Sequence, residues 1–161
     1  MWKQLSRQDH HYYLEIFMVR HILFILDMGT VEAIIHRSLK ELEKYEGLHD
    51  TACIRTSFLV YEGLLWVDRG ELEYGIILLK QAEQVAKKGR CQRMMDTIYL
   101  YMSACYYRLD DVGRYWYYVR KAFLTRLSMS DGVDDLMKRA REFLGERDLG
   151  KLSEWVNGVL E

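Results

Sequence analysis

No proline interrupts this chain of 161 residues. Proline ends or kinks helices more reliably than any other residue, so glycine and short polar clusters are the only strong breakers left. They fall at regular places: "DMGT", "YEGLHD", "DRGE", "KKGR", "LDD" and "SMSDG". Between them no stretch alternates apolar and polar residues for long enough to make a half-buried strand. The chain is therefore expected to be all-α.

The breakers predict eight helices, over 9–28, 31–45, 51–67, 71–88, 91–108, 112–127, 133–144 and 148–160. Gly29 is expected to end the first in a left-handed cap, with Thr30 capping the second. Lys87 and Lys88 put positive charge in the last turn of the fourth, where it suits the helix dipole. Turns this short join antiparallel neighbours. The expected units are four helix pairs, 9–45, 51–88, 91–127 and 133–160, within one domain.

The pairs repeat one another. A shift of forty residues carries Gly63 onto Ser103, Trp66 onto Tyr106, Leu72 onto Val112, Leu79 onto Val119 and Ala82 onto Ala122. A further thirty-seven carries Ser103 onto Ala140, Tyr106 onto Phe143, Val112 onto Leu149, Val119 onto Val156 and Ala122 onto Val159. Physically this is a helix hairpin. A small side chain lets the partner helix approach, an aromatic fills the space beside it, and anchors seven apart stay on one face.

These features resemble the tetratricopeptide repeat, whose first helix carries L-G-x-x-Y and whose second carries A-x-x-x-F. "EGLLW" (62–66), "MSACY" (102–106) and Arg139 to Phe143 match the first part. Gly75 with Leu79, Tyr115 with Val119 and Leu152 with Val156 give a degraded second part. The spacing is near forty rather than thirty-four, and the closing proline is absent. In those two respects the chain is similar to the helical sensor region of large LuxR-type bacterial transcription activators, though neither an ATPase nor a helix-turn-helix is evident.

The resemblance implies a right-handed superhelical array of about four antiparallel hairpins. Its first helices would line a concave groove for a protein or peptide. Transferred to this sequence, the groove residues are Tyr61, Leu64 and Asp68, then Tyr101, Ala104, Tyr107 and Arg108, then Lys138 and Arg141, with Arg20 from the first helix. Such an aromatic ladder with a cationic end suits a segment bearing acidic groups. Leu64 and Ala104 stand where carboxylate-clamping members carry Asn, which disfavours a receptor for chaperone tails.

Composition narrows the function classes. The 23 basic and 24 acidic residues leave a net charge of −1, without the basic excess of a general nucleic-acid binder. The longest apolar run, "IFMVRHILFIL", is broken by Arg20 and His21 and is about half of a membrane span. No secretory signal opens the chain. Cys53, Cys91 and Cys105 form no C-x-x-C pair, which argues for a reducing compartment and against a disulfide framework or zinc site. A cytoplasmic location is expected, with no membrane contact.

Enzyme signatures are missing: there is no GxGxxG, P-loop, G-x-S-x-G or HExxH. The adjacent His10 and His11 point to different sides of a helix, His21 reads as a core histidine, and Cys105 as a small buried hydrophobe. Neither a cofactor nor a metal is expected. The leading expectation is a non-enzymatic interaction scaffold, such as the sensing or oligomerisation module of a bacterial transcription regulator. A receptor for a small ligand or signalling peptide, in a pocket between aromatic helices, is the alternative. The apolar ends, with Ile16, Phe17, Ile22, Phe24 and Ile25 at one and Leu152, Trp155, Val156, Val159 and Leu160 at the other, predict a homodimer.

One stretch asks for a separate account. "RYWYYVRKAF" (114–123) sets four rings in a row beside two cations. Helical spacing directs Tyr115, Val119 and Ala122 inward with Tyr118 beside them, turns Trp116 and Phe123 to a neighbouring helix, and sends Tyr117 outward alongside Lys121.

Overall fold

The computed structural model describes residues 13–19, 23, 26–46, 51–129 and 132–160. Regular structure among them is helical: α1 (Tyr13–Val19), α2 (Met28–Leu42), α3 (Ala52–Asp68), α4 (Leu72–Lys88), α5 (Met95–Arg108), α6 (Val112–Ser128), α7 (Asp134–Ala140) and α8 (Glu146–Leu160). Short 3-10 turns cover Glu43–Tyr45 and Gln92–Met94. The chain divides into two compact units, Met1–Cys91 and Gln92–Glu161. In the first, α1 packs on α2, α2 on α3 and α3 on α4; in the second, α5 packs on α6 and on α7. Within the first unit α1 and α2, and α3 and α4, lie antiparallel.

Three successive helices end in the same turn. After α3, Gly70 takes a φ of 89°; after α4, Arg90 takes 55°; after α5, Asp110 takes 57°. In each case the next amide, that of Glu71, Cys91 or Asp111, donates to the carbonyl five residues back, on Trp66, Ala86 or Tyr106. The left-handed residue itself donates to the carbonyl three back, on Val67, Lys87 or Tyr107. These are Schellman caps, which satisfy the last carbonyls and reverse the chain in two residues. Only the first uses glycine.

Within the hairpins the small residues do what their spacing predicts. A Cβ on Gly75 would stand 2.5 Å from Val67 Cγ2 and 3.0 Å from the Gly63 carbonyl oxygen. The α3 and α4 backbones therefore meet at Gly63 and Gly75. At the offset positions in the second unit, Ser103 and Tyr115 are both buried. The first core gathers Ile16, Val19, Leu23, Ile35, Leu42 and Phe58. The second is built from Ile98, Met102, Tyr115, Val119, Phe123, Leu136 and Leu152.

Several sequence expectations are corrected. Gly29 does not end the first helix; it lies in the first turn of α2, which starts at Met28 rather than Val31. The cap is Asp27, whose carboxylate accepts from the Thr30 backbone N–H at 3.0 Å. The hydrogen bonds from Thr30, side chain first, hold the Asp27 carboxyl below the usual carboxylate range. Helix α7 stops at Ala140, four residues before its expected end, and α8 begins at Glu146 rather than Asp148.

The largest correction concerns the cysteines. Cys53 and Cys91 form a disulfide with their Cα atoms 5.5 Å apart. The reason is geometric. Helices α3 and α4 are each seventeen residues long, so the antiparallel return brings the end of α4 beside the start of α3. Gly89 makes that junction close: a Cβ there would fall 2.0 Å from Ala52 Cβ. Cysteine usage therefore no longer argues for a reducing compartment. Among the described residues no helix is long and apolar enough to cross a membrane.

Two outcomes follow from this packing. Gly75→Ala should destabilise the protein by about 1–3 kcal/mol through overpacking, although alanine is the better helix former by roughly 1 kcal/mol. A urea midpoint that rises would contradict the close approach. Replacing Cys53 and Cys91 together by serine opens a loop of 38 residues. The loss of stability should be about 4 kcal/mol by loop entropy, read as a lower urea midpoint without reductant.

Candidate functional site

The site is built on α6, where the four-ring stretch falls. Asp111 starts the helix: its carboxylate accepts from the Arg114 backbone N–H at 2.9 Å and from Arg114 Nε at 2.6 Å. The backbone N–H bond of Arg114, followed by its side chain, holds the Asp111 carboxyl below its ordinary range. Arg114 lies over the Tyr106 ring at 4.8 Å. The start of the helix is fixed, and the rings follow in register.

Tyr115, Val119, Ala122 and Phe123 are buried, as their spacing predicts. Tyr115 meets Tyr107 edge-on at 5.2 Å, and its hydroxyl has no hydrogen-bond partner among the described residues. Burial, with Asp148 and Tyr107 adding to it, pushes that hydroxyl's pKa up. Tyr118 stacks on Tyr106 at 5.4 Å, with Tyr99 beyond it at 6.2 Å. Burial likewise pushes the Cys105 thiol up to about 11, so it is an inert core group rather than a nucleophile.

The outward side of α6 differs in character. Tyr117 is 57% exposed and Leu124 50% exposed. Trp116 is half-buried, with Arg120 lying 5.7 Å from its ring and the same distance from Trp155 of α8. Lys121 Nζ sits 4.2 Å from the Tyr99 ring and 5.3 Å from Tyr117. Cations over ring faces are held by the aromatic quadrupole. The described lining of the hollow along this face, about 610 Å³, includes Trp116, Tyr117, Arg120, Lys121, Leu124 and Thr125 and contains no carboxylate.

The face is stiffened from behind. Asp96 is fully buried on α5, and Arg126 Nε of α6 lies 2.5 Å from its Oδ2. Asp96 Oδ1 accepts from the Thr97 N–H at 2.6 Å. A buried charge with one ionic partner ties α6 to α5 at the end of the exposed stripe.

The residues transferred from the resemblance lie elsewhere. Tyr61, Leu64 and Asp68 are on α3 of the first unit, with Tyr61 packed partly buried against its core. Tyr101, Ala104, Tyr107 and Arg108 are on α5, Lys138 is on α7 and Arg141 caps it. Tyr107 packs against Tyr115 and Phe143, and its hydroxyl accepts from the Gly145 N–H at 3.4 Å. Arg20, His10, His11 and His21 lie outside the described residues. The sequence signal for the α6 face was the pairing of Tyr117 with Lys121; Arg120 and Leu124 complete it at the next helical positions. At the C-terminal end, Leu152 and Val156 are buried while Val159 is exposed. Among the described residues no cluster of His, Cys, Asp and Glu is placed to hold a metal ion.

No family model, curated protein or solved structure matches this chain.

Replacing Arg126 by methionine should cost about 3–5 kcal/mol, because Asp96 is left buried without its counterion. Changing Asp96 to leucine in the same molecule should recover much of that loss. A double-mutant cycle in urea reads both, and additive losses would contradict the pairing.

Proposed function

We propose that this chain is a non-enzymatic interaction scaffold of tetratricopeptide-like helix pairs, and that the outward face of α6 binds an acidic amphipathic helix of a protein partner. The observation that carries the reading is the stripe of Trp116, Tyr117, Arg120, Lys121 and Leu124, apolar and cationic at helical spacing with no carboxylate in its described lining. From Gly113 to Ser128 the stripe spans about 22 Å at the rise of an α-helix, a length that suits a partner of about four turns. Rings placed beside cations would take the partner's apolar side chains while Arg120 and Lys121 meet its carboxylates.

Three features support the scaffold reading more broadly. Helices are paired by short caps, the α3/α4 pair closes on two glycines, and the small–aromatic spacing returns at forty residues. Stacking of such pairs into a right-handed superhelix, and a role as the sensing or oligomerisation part of a bacterial transcription regulator, belong to this proposal. So does a homodimer formed through an apolar end.

The test uses the full chain and a fluorescent, four-turn acidic amphipathic peptide, with a Glu→Gln version as control. Anisotropy should show binding that weakens on the order of ten-fold when Arg120 and Lys121 are both changed to glutamate, and that weakens with added salt. Equal binding of the acidic and neutral peptides, or no effect of the double change, would contradict the proposal.

A further inference from the structure

Four carboxylates are buried among the described residues: Glu41, Glu62, Glu83 and Asp96. Three face a permanent cation. Lys44 Nζ is 2.8 Å from Glu41, Lys87 Nζ is 2.7 Å from Glu83, and Arg126 serves Asp96. Glu62 differs. Its side chain is 8% exposed, and the partner at 3.0 Å is the imidazole of His36, itself 61% exposed. A carboxylate taken out of water needs a counter-charge, and a solvated imidazole that is charged only when protonated is a poor permanent one.

Glu62 also opens on a groove, of about 440 Å³, formed by α2, α3 and α4 of the first unit. Its apolar lining includes Leu39, Leu59 and Leu78, and its outer edge carries Tyr74 and Ile77, which are 44% and 50% exposed. The other charged groups lining it are Lys40 and Glu43, both exposed and of opposite sign. The arrangement is an apolar trough with one buried negative charge.

We infer that this groove binds an alkylammonium or alkylguanidinium group, whose cation displaces His36 from Glu62 while its apolar stem lies along Leu59, Leu78 and Ile77. The chemistry is shared by a free amine and by a lysine or arginine side chain of a peptide. The inference is independent of the α6 face: it concerns another unit, and a ligand of opposite charge.

The test is a heteronuclear NMR titration of the full chain. One arm uses n-hexylammonium, a second uses n-hexanol as its neutral counterpart, and a third uses N-acetyl-Leu-Lys-Leu-amide. Saturable shifts at Glu62, Ile77 and Leu78 with the two ammonium probes, and much weaker ones with hexanol, are expected. Tighter binding of the peptide points to a side chain as the source, and tighter binding of hexylammonium to a free amine. Glu62→Gln keeps the shape of the site and should weaken both by about ten-fold or more. His36→Ala, at an exposed position, should leave the affinity equal or higher, because the cation no longer competes with the imidazole. Hexanol binding as well as the ammonium, an unchanged affinity in Glu62→Gln, a loss of affinity in His36→Ala, or no saturable shifts at all would each overturn the inference. Glu62→Gln and Arg120→Glu/Lys121→Glu affect different probes, so failure here leaves the α6 proposal standing, and the reverse holds too.

Discussion

The fold depends on a turn that reverses the chain in two residues and gives partners to carbonyls of the last helical turn. After α3, α4 and α5 the left-handed position falls at Gly70, Arg90 and Asp110, twenty residues apart, with the same two hydrogen bonds closing each cap. So short a link forces α4 to run back along α3, and α6 along α5, and α3 and α4 are of equal length. The other packing features then follow. The α3 and α4 backbones meet where neither side has a Cβ, at Gly63 and Gly75, and the far end of α4 arrives at Ala52, where only glycine fits at position 89. The disulfide locks that arrival. Placing Arg90 in the left-handed region costs about 1 kcal/mol or more, which the backbone bonds of the cap and the neighbouring disulfide offset.

The same register decides which rings of α6 are available. Once Asp111 starts the helix, Tyr115, Val119 and Ala122 must face α5, Tyr117, Arg120 and Leu124 must face away, and Lys121 lies at the border with its Nζ over the Tyr99 ring of α5. Function, as proposed, is therefore a consequence of a cap four residues before the first ring. The two proposed surfaces use opposite physical means. On α6 the cations lie beside rings, Arg120 exposed and Lys121 half-buried, whereas in the first unit a carboxylate is buried with too weak a partner.

Much of this was legible in the sequence because it depends on period and on side-chain size. The absence of proline, the breakers and the helical spacing gave all-α structure, antiparallel pairs, the close approach at Gly63 and the burial of Tyr115 beside an exposed Tyr117. What was missed depends on relations that a linear pattern does not carry. Asp27 competes with Thr30 as a cap, and only the backbone shows that its carboxylate receives the Thr30 amide. Cys53 and Cys91 are 38 residues apart and lack any motif; their meeting follows from the equal lengths of two helices. Tyr107 packs against Tyr115 and Phe143, a contact the sequence does not show, because a tyrosine at helical spacing reads the same whether its hydroxyl reaches solvent or a backbone amide. The contrast between Glu62 and the other buried carboxylates is invisible in sequence, where all four are simply acidic residues on helices.

Native-state hydrogen exchange at three amides tests the central constraint most directly. Glu71, Cys91 and Asp111 each donate to a carbonyl five residues earlier in the cap that reverses the chain. If those caps hold the hairpins, these amides should exchange at least about a hundred-fold more slowly than in an unfolded chain, as members of cooperative helix-pair units. Exchange at the unfolded rate at these three positions, with the helix interiors still protected, would show that the helices form without the turns that are claimed to pair them.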